Sequence, residues 1–225
     1  KQLSPSFIRR WLGVVFLIGC QGLMGWYMVK SGLVDIPHVS HLRLAAHLSL
    51  AFVIFCIVLN EYLRLQFPQS NTKVPYLKKT IRIGFVLIGI QIIYGAFTAG
   101  LHAGHYYKTY PKMGSDWLPE AALMYSGGLI NNMINNPIMI QWIHRWLAVA
   151  VVIAVLIIWK QCQKSNNLYL QYSGLLLVAA VSFQFLLGVI TILTAVWLPV
   201  ALAHQFGALI LLSSITLLNH FTSNS

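Results

Sequence analysis

The chain has 225 residues, of which 58% are hydrophobic and only 8% charged, with a formal net charge of +11. So few charges exclude an ordinary soluble domain, in which about one residue in four is charged. The positive balance is concentrated in the connections on one side of a series of apolar runs, so it does not imply a nucleic-acid partner.

Six runs approach the roughly 20 apolar residues needed to cross a bilayer: 8–30, 42–63, 81–101, 137–160, 171–197 and 199–220. They predict an all-α integral membrane protein, because backbone in hydrocarbon must satisfy its hydrogen bonds within the helix. The first run has Lys1, Arg9 and Arg10 at its head and carries Gln21 and Gly25. The second holds Leu44-Ala45-Ala46-His47, and Arg64, Lys73, Lys78, Lys79 and Arg82 lie between it and the third. Gln91 and Gly95 mark the third run, and a long connection, 101–136, follows it. The fourth contains Gln141-Trp142-Ile143-His144-Arg145 and leads through Lys160 and Lys164 to the fifth, with Gln184 and Gly188. The sixth holds Ala201-Leu202-Ala203-His204-Gln205. Across the membrane the cations are fewer (Lys30, Arg43, Lys108, Lys112 and Arg145), diluted by Asp35, Asp116 and Glu120. This positive-inside bias places both termini in the cytoplasm or matrix, and 31–41, 101–136 and 197–199 outside.

A repeat emerges from this order. Each odd run carries glutamine followed four residues later by glycine, and each even run carries a histidine near its outer end with alanine four residues on. The unit is a helical hairpin used three times. The glycines serve either the repeat or close helix packing. Histidine in a membrane span is expensive and marks a functional site. Three at one depth point to ligands. Zinc would call for thiols or carboxylates nearby, and non-heme iron for a facial carboxylate; both are scarce here. Paired imidazoles on facing helices suit a bis-histidine heme iron. Cys20, Cys56 and Cys162 form no CxxC or CxxCH motif and read as small buried hydrophobes. Pairing leaves one histidine over: His144 and His204 complete one half, and the partner of His47 is expected upstream of Lys1.

The stretches Gln21–Gly32, Arg43–His47, Ala99–Gly104, Tyr110–Gly114, Trp117–Glu120, Asn136-Pro137, His144-Arg145 and His204-Gln205 resemble the heme A synthase family, in its mitochondrial and proteobacterial branch. The resemblance covers nearly the whole chain. It implies six helices matching helices 3–8 of an eight-helix, pseudo-symmetric pair of four-helix bundles. Residues 1–80 would form the second half of the amino-terminal, substrate-heme bundle with its cytoplasmic loop, and 81–225 the complete carboxyl-terminal, cofactor-heme bundle. It further implies an oxidoreductase that oxidises the C8 methyl of heme O to a formyl group, making heme A for terminal cytochrome oxidase.

By the same resemblance His144 and His204 are metal ligands to a heme b cofactor, with Arg145 and Gln205 beside it. His47 binds the iron of the substrate heme, with Arg43 nearby. The family's Glu-x-x-His-Arg motif, whose glutamate is assigned a catalytic role, is absent, so no catalytic residue is named and the chain is expected to lack part of the active site. Glu61 in Asn60-Glu61-Tyr62 lies at the cytoplasmic end and is no substitute. The sequence departs from its relatives at His102, where aspartate is usual, and lacks the paired cysteines of the Gram-positive branch. The setting is the bacterial inner membrane, with the mitochondrial inner membrane as alternative. Heme O, an unnamed electron donor, heme O synthase, oxidase assembly factors and a second copy of the chain are the partners the resemblance allows.

Arg43 and Arg145 either meet heme propionates or anchor at the interface. The 101–136 connection, with Tyr106, Tyr107, Tyr110, Trp117 and Tyr125, is either a cap over the site or an aromatic belt. His38, His41, His102 and His105 read as solvated loop residues, His102 being the first exception to consider. A di-heme b-type electron-transfer cytochrome is the alternative function. A transporter is a third reading, disfavoured because the spans show neither broken helices nor midplane polar groups.

Overall fold

The computed structural model describes residues 4–30, 39–67, 75–124 and 126–222; Lys1, Asp35, His38, Lys73 and Tyr125 lie outside the described residues. Within them the chain is helical: α1 (Pro5–Lys30), α2 (His41–Gln66), α3 (Pro75–Gly100), the short α4 (Gly128–Asn135), α5 (Pro137–Gln163), α6 (Leu168–Leu193) and α7 (Leu198–Thr222). Two single 3-10 turns, Ala103–His105 and Glu120–Ala122, interrupt the connection between α3 and α4. All the helices except α4 are long and apolar enough to cross a membrane, which bears out the six expected spans.

The ends differ from the sequence reading for identifiable reasons. α3 begins at Pro75 rather than 81, because Lys78, Lys79 and Arg82 are good helix formers that extend the helix beyond its apolar part. α6 stops at Leu193 rather than 197: Ala195 (φ 55°) and Val196 (φ 62°) take left-handed backbone, and the Val196 N–H donates to Thr191 O at 2.8 Å, turning the chain into α7. The start of α5 is set by Asn136, whose side chain accepts from the Ile138 N–H, and by Pro137 in the first turn. The Asn136 amide also donates to Ala121 O and Ala122 O, and Asn132 donates to Ala122 O, fixing the outer connection and α4 to the head of α5. α4 itself was not anticipated; its eight residues are too few to stand out as a periodic segment.

Helices α3, α5, α6 and α7 form a four-helix ring, with α3 against α5, α5 against α6, α6 against α7 and α7 against α3. The histidine-bearing α5 and α7 are therefore diagonal partners, and the glutamine-bearing α3 and α6 occupy the other diagonal. α2 packs on α3 and α7, and α1 on α2. The main core fills the half of the bundle away from the three histidines: Leu77, Ile81, Ile158, Leu170, Ile215 and Leu218 are fully buried. Nearer the histidine end a second cluster, Ala45, Ala96, Phe97 and Ile140, is much smaller and joins α2, α3 and α5. The bundle is thus welded at one end and leaves room for a site at the other.

At the end away from the histidines Glu61 of α2 is 4% exposed and accepts from Arg10 Nε of α1 (2.9 Å) and from Arg64 Nη1 (3.3 Å). α1 buries only Val14 among its described residues, so this ion pair is a main tie between α1 and α2 at that end. Glu61→Gln is expected to lower stability by about 1–2 kcal/mol, the arginines being partly solvated, and to speed amide exchange in the first turns of α1. Thermal unfolding in detergent and hydrogen exchange measure the two effects.

Candidate heme-binding site

His47, His144 and His204 lie six, seven and six residues after the first residues of α2, α5 and α7. At about 1.5 Å per residue they share one depth to within a residue's rise. Each is half-buried, with its ring against the preceding long helix.

The contact repeats in all three hairpins. A Cβ on Gly25 would stand 3.2 Å from His47 Cε1, one on Gly95 3.2 Å from His144 Cε1, and one on Gly188 3.0 Å from His204 Cε1. The glycines therefore seat imidazole rings, and the glutamine–glycine spacing is explained by the site as well as by helix packing. One turn earlier on the same helices, the Gln21 amide donates to His47 O (3.2 Å) and lies 3.2 Å from His47 Nε2. Gln91 does the same for His144, at 3.1 Å from the carbonyl and 3.4 Å from Nε2.

These bonds decide the tautomer. The carbonyl only accepts, so the nitrogen of each glutamine amide must face it. Its second hydrogen then points at histidine Nε2, which must accept. The ring proton is left on Nδ1, and Nε2 keeps its lone pair, the form that binds a metal. Nδ1 of His47 and of His144, and the Oε1 atoms of Gln21 and Gln91, are buried with no hydrogen-bond partner among the described residues. The third hairpin reaches the same tautomer differently. His204 Nδ1 lies 3.2 Å from the Gln184 backbone carbonyl, to which it donates, and the Gln184 side chain lies instead over Gly207, where a Cβ would collide with it.

His144 and His204, on diagonal helices, are close enough for direct electrostatic interaction. An apolar cleft of about 300 Å³ lies between α5 and α6, lined by Val149, Val152, Ser182, Phe185 and Leu186, and neither histidine borders it. Among the described residues no three His, Cys, Asp or Glu side chains converge on a point where an ion could sit. Imidazoles that keep Nε2 lone pairs, seated against glycine-cleared helix faces in an apolar bundle, suit a flat iron-bearing ring better than a bare ion.

Above the site Arg145 is 7% exposed although it carries a charge. Its Nη1 donates to Thr109 O (2.7 Å) and Lys112 O (3.2 Å), and its Nη2 to Tyr107 O (2.8 Å). Gln141 donates to Tyr107 O at 2.9 Å and Trp142 to Trp117 O at 2.8 Å. One stretch of α5 thus clamps the outer connection next to His144. Tyr110 in that connection sets its ring edge-on to Phe185, 6.1 Å between centroids. The sequence pattern gave no sign that Arg145 bonds loop carbonyls.

The other expected residues are more dispersed. Arg43 stacks over the Tyr27 ring at 4.5 Å, and Gln205 is exposed on α7. His41 is not a solvated loop residue: it opens α2, its Nε2 donates to Ile134 O at 3.0 Å, and its ring meets Phe97 edge-on. His102, with left-handed φ 52°, and His105 are exposed in the connection.

The chain matches a family model described as cytochrome oxidase assembly protein over residues 1–216. It is 38% identical over 223 residues to the heme A synthase of Flavobacterium johnsoniae, covering 98% of this chain and 65% of that protein. It is 37% identical to the heme A synthase of Rhodospirillum centenum, with 93% and 57% covered, and 38% identical to heme A synthase COX15 of Mus musculus, with 94% and 54% covered. The chain spans between about half and two thirds of the length of these relatives. A match over nearly all its residues shows that the chain belongs to the cytochrome oxidase assembly protein family.

Proposed function

We propose that the chain forms the heme-binding part of a heme A synthase, which oxidises the C8 methyl of heme O to a formyl group, and that His144 and His204 hold a heme b between α5 and α7. The observation that carries the reading is the seat repeated three times, each histidine ring lying at one depth against a glycine of the preceding long helix. His47, in an equivalent seat on α2, holds the iron of the substrate heme. Residues 1–80 serve the substrate and 81–225 the cofactor.

When bound, heme b supplies one-electron redox chemistry beside the substrate. The protein's own residues do the positioning. Gly95 and Gly188 let the rings of His144 and His204 lie close to α3 and α6, and the core away from the histidines fixes the diagonal spacing of α5 and α7. Gln91 and the Gln184 carbonyl keep the ring proton on Nδ1. Arg145, Gln141 and Trp142 hold the connection over the outer mouth beside His144, which limits water near the cofactor. Arg145 Nε is buried without a partner among the described residues, and it is the donor left to meet a propionate. Arg43 is proposed to do the same near His47, and Gln205 to border the cofactor.

The purified protein is expected to show a low-spin bis-histidine heme spectrum. His204→Ala and His144→Ala abolish it, while His47→Ala retains it; equal loss in all three would show that the ligands are paired wrongly. For the reaction, the chain, alone and grafted in place of the segment it matches in the Flavobacterium johnsoniae heme A synthase, is expressed in cells that make heme O but no heme A, and extracted heme is separated by chromatography. Heme A from the graft is expected; heme b alone, with no formyl product, would instead mark an electron-transfer cytochrome. Arg145→Gln removes charge-assisted bonds to the connection. A loss of about 1–3 kcal/mol and faster amide exchange across 107–117 are expected, measured by thermal unfolding and hydrogen exchange.

A further inference from the structure

The three seats are not equivalent, and the difference concerns what meets the histidine Nε2 when iron does not. At His144 a hydrogen-bond donor is in place: the Gln91 amide, anchored on His144 O at 3.1 Å, also faces Nε2 at 3.4 Å. Gln21 repeats this at His47, at 3.2 Å to each atom. Among the described residues His204 has no such donor. Its described side-chain hydrogen bond runs through Nδ1 to the Gln184 carbonyl, and the Gln184 amide is turned to Gly207. Released from iron, the Nε2 of His144 meets a waiting donor, whereas that of His204 meets none among the described residues, and a hydrogen bond in waiting offsets part of the lost bond to iron. Release is therefore cheaper for His144 than for His204.

We propose that Gln91 is a positioning residue that holds the Nε2 lone pair of His144 when iron is not on it, which makes His144 the exchangeable axial ligand and His204 the permanent one. The inference rests on the bis-histidine reading above. It extends to Gln21 and His47, where the same donor allows a substrate heme to bind and leave without stranding the ring.

Exchange with an external ligand isolates this property. When carbon monoxide replaces His144 on ferrous heme, the Fe–Nε2 bond breaks and an Fe–C bond forms. The iron stays ferrous, and no proton moves because the ring already carries one on Nδ1. Gln91 stabilises the freed ring by one hydrogen bond, so removing it should weaken carbon monoxide binding about 3- to 10-fold.

The test is a carbon monoxide titration of the dithionite-reduced, heme-loaded protein, followed by absorbance. Gln91→Met keeps the side-chain length but cannot donate, and is expected to lower the affinity by that factor. Gln184→Met, which leaves the backbone carbonyl on His204, is expected to keep the parent affinity. Should Gln91→Met not retain heme, Gln91→Asn, too short to reach Nε2, takes its place with the same expectation. Unchanged affinity in the Gln91 variant, or an equal fall in the Gln184 variant, overturns the proposal. A parent protein without a low-spin bis-histidine spectrum overturns the functional reading itself, and is seen before any titration begins.

Discussion

A histidine ring inside an apolar helix bundle has two nitrogens to satisfy and no water to satisfy them, and the rest of this molecule is arranged around that constraint. In two of the three hairpins a glutamine on the neighbouring helix, bound to the histidine's own carbonyl, meets Nε2, and a glycine one turn away makes room for the ring. The carbonyl bond orients the amide, the amide fixes the tautomer, and the tautomer leaves a metal-binding lone pair on Nε2. A short repeat in the sequence thereby becomes a chemical specification. Its use in the first two hairpins, and a variant through the Gln184 carbonyl in the third, explains why the first helix of each hairpin carries glutamine and glycine while the second carries histidine.

The surrounding structure keeps this device in register. The half of the α3–α5–α6–α7 ring away from the histidines is densely packed, so the diagonal separation of α5 and α7 is set far from the site. At the outer end Arg145 is buried without a protein carboxylate beside it, its charge spread over three backbone carbonyls of the connection. Such an arrangement costs desolvation and gains a fixed cap. The helix that supplies His144 also holds the cover over it, so ligand and cover move as one unit.

Much of this was legible in the residues. Six apolar runs gave six spans because hydrocarbon admits little else, and positions four apart in an odd helix had to share a face. The depth of the histidines followed from helical rise. Other features were not legible. α6 ends early through left-handed backbone at Ala195 and Val196, residues that give no turn signal in sequence. His41 became a helix residue with a carbonyl partner in α4, a contact 93 positions away that no local pattern carries. Arg145 looked like a surface cation or a propionate partner, and only the folded connection reveals what its fork-shaped group bonds. Gln184 matches Gln21 and Gln91 in sequence yet points elsewhere, because Gly207 on the next helix opens space that the other two hairpins lack.

The central claim is that two imidazoles from diagonal helices share one iron. It is met most directly by electron paramagnetic resonance of the ferric protein, with nitrogen hyperfine couplings resolved in samples labelled with ¹⁵N-histidine. A low-spin signal coupled to two equivalent histidine nitrogens is expected. A high-spin signal, or coupling to one histidine only, would contradict it.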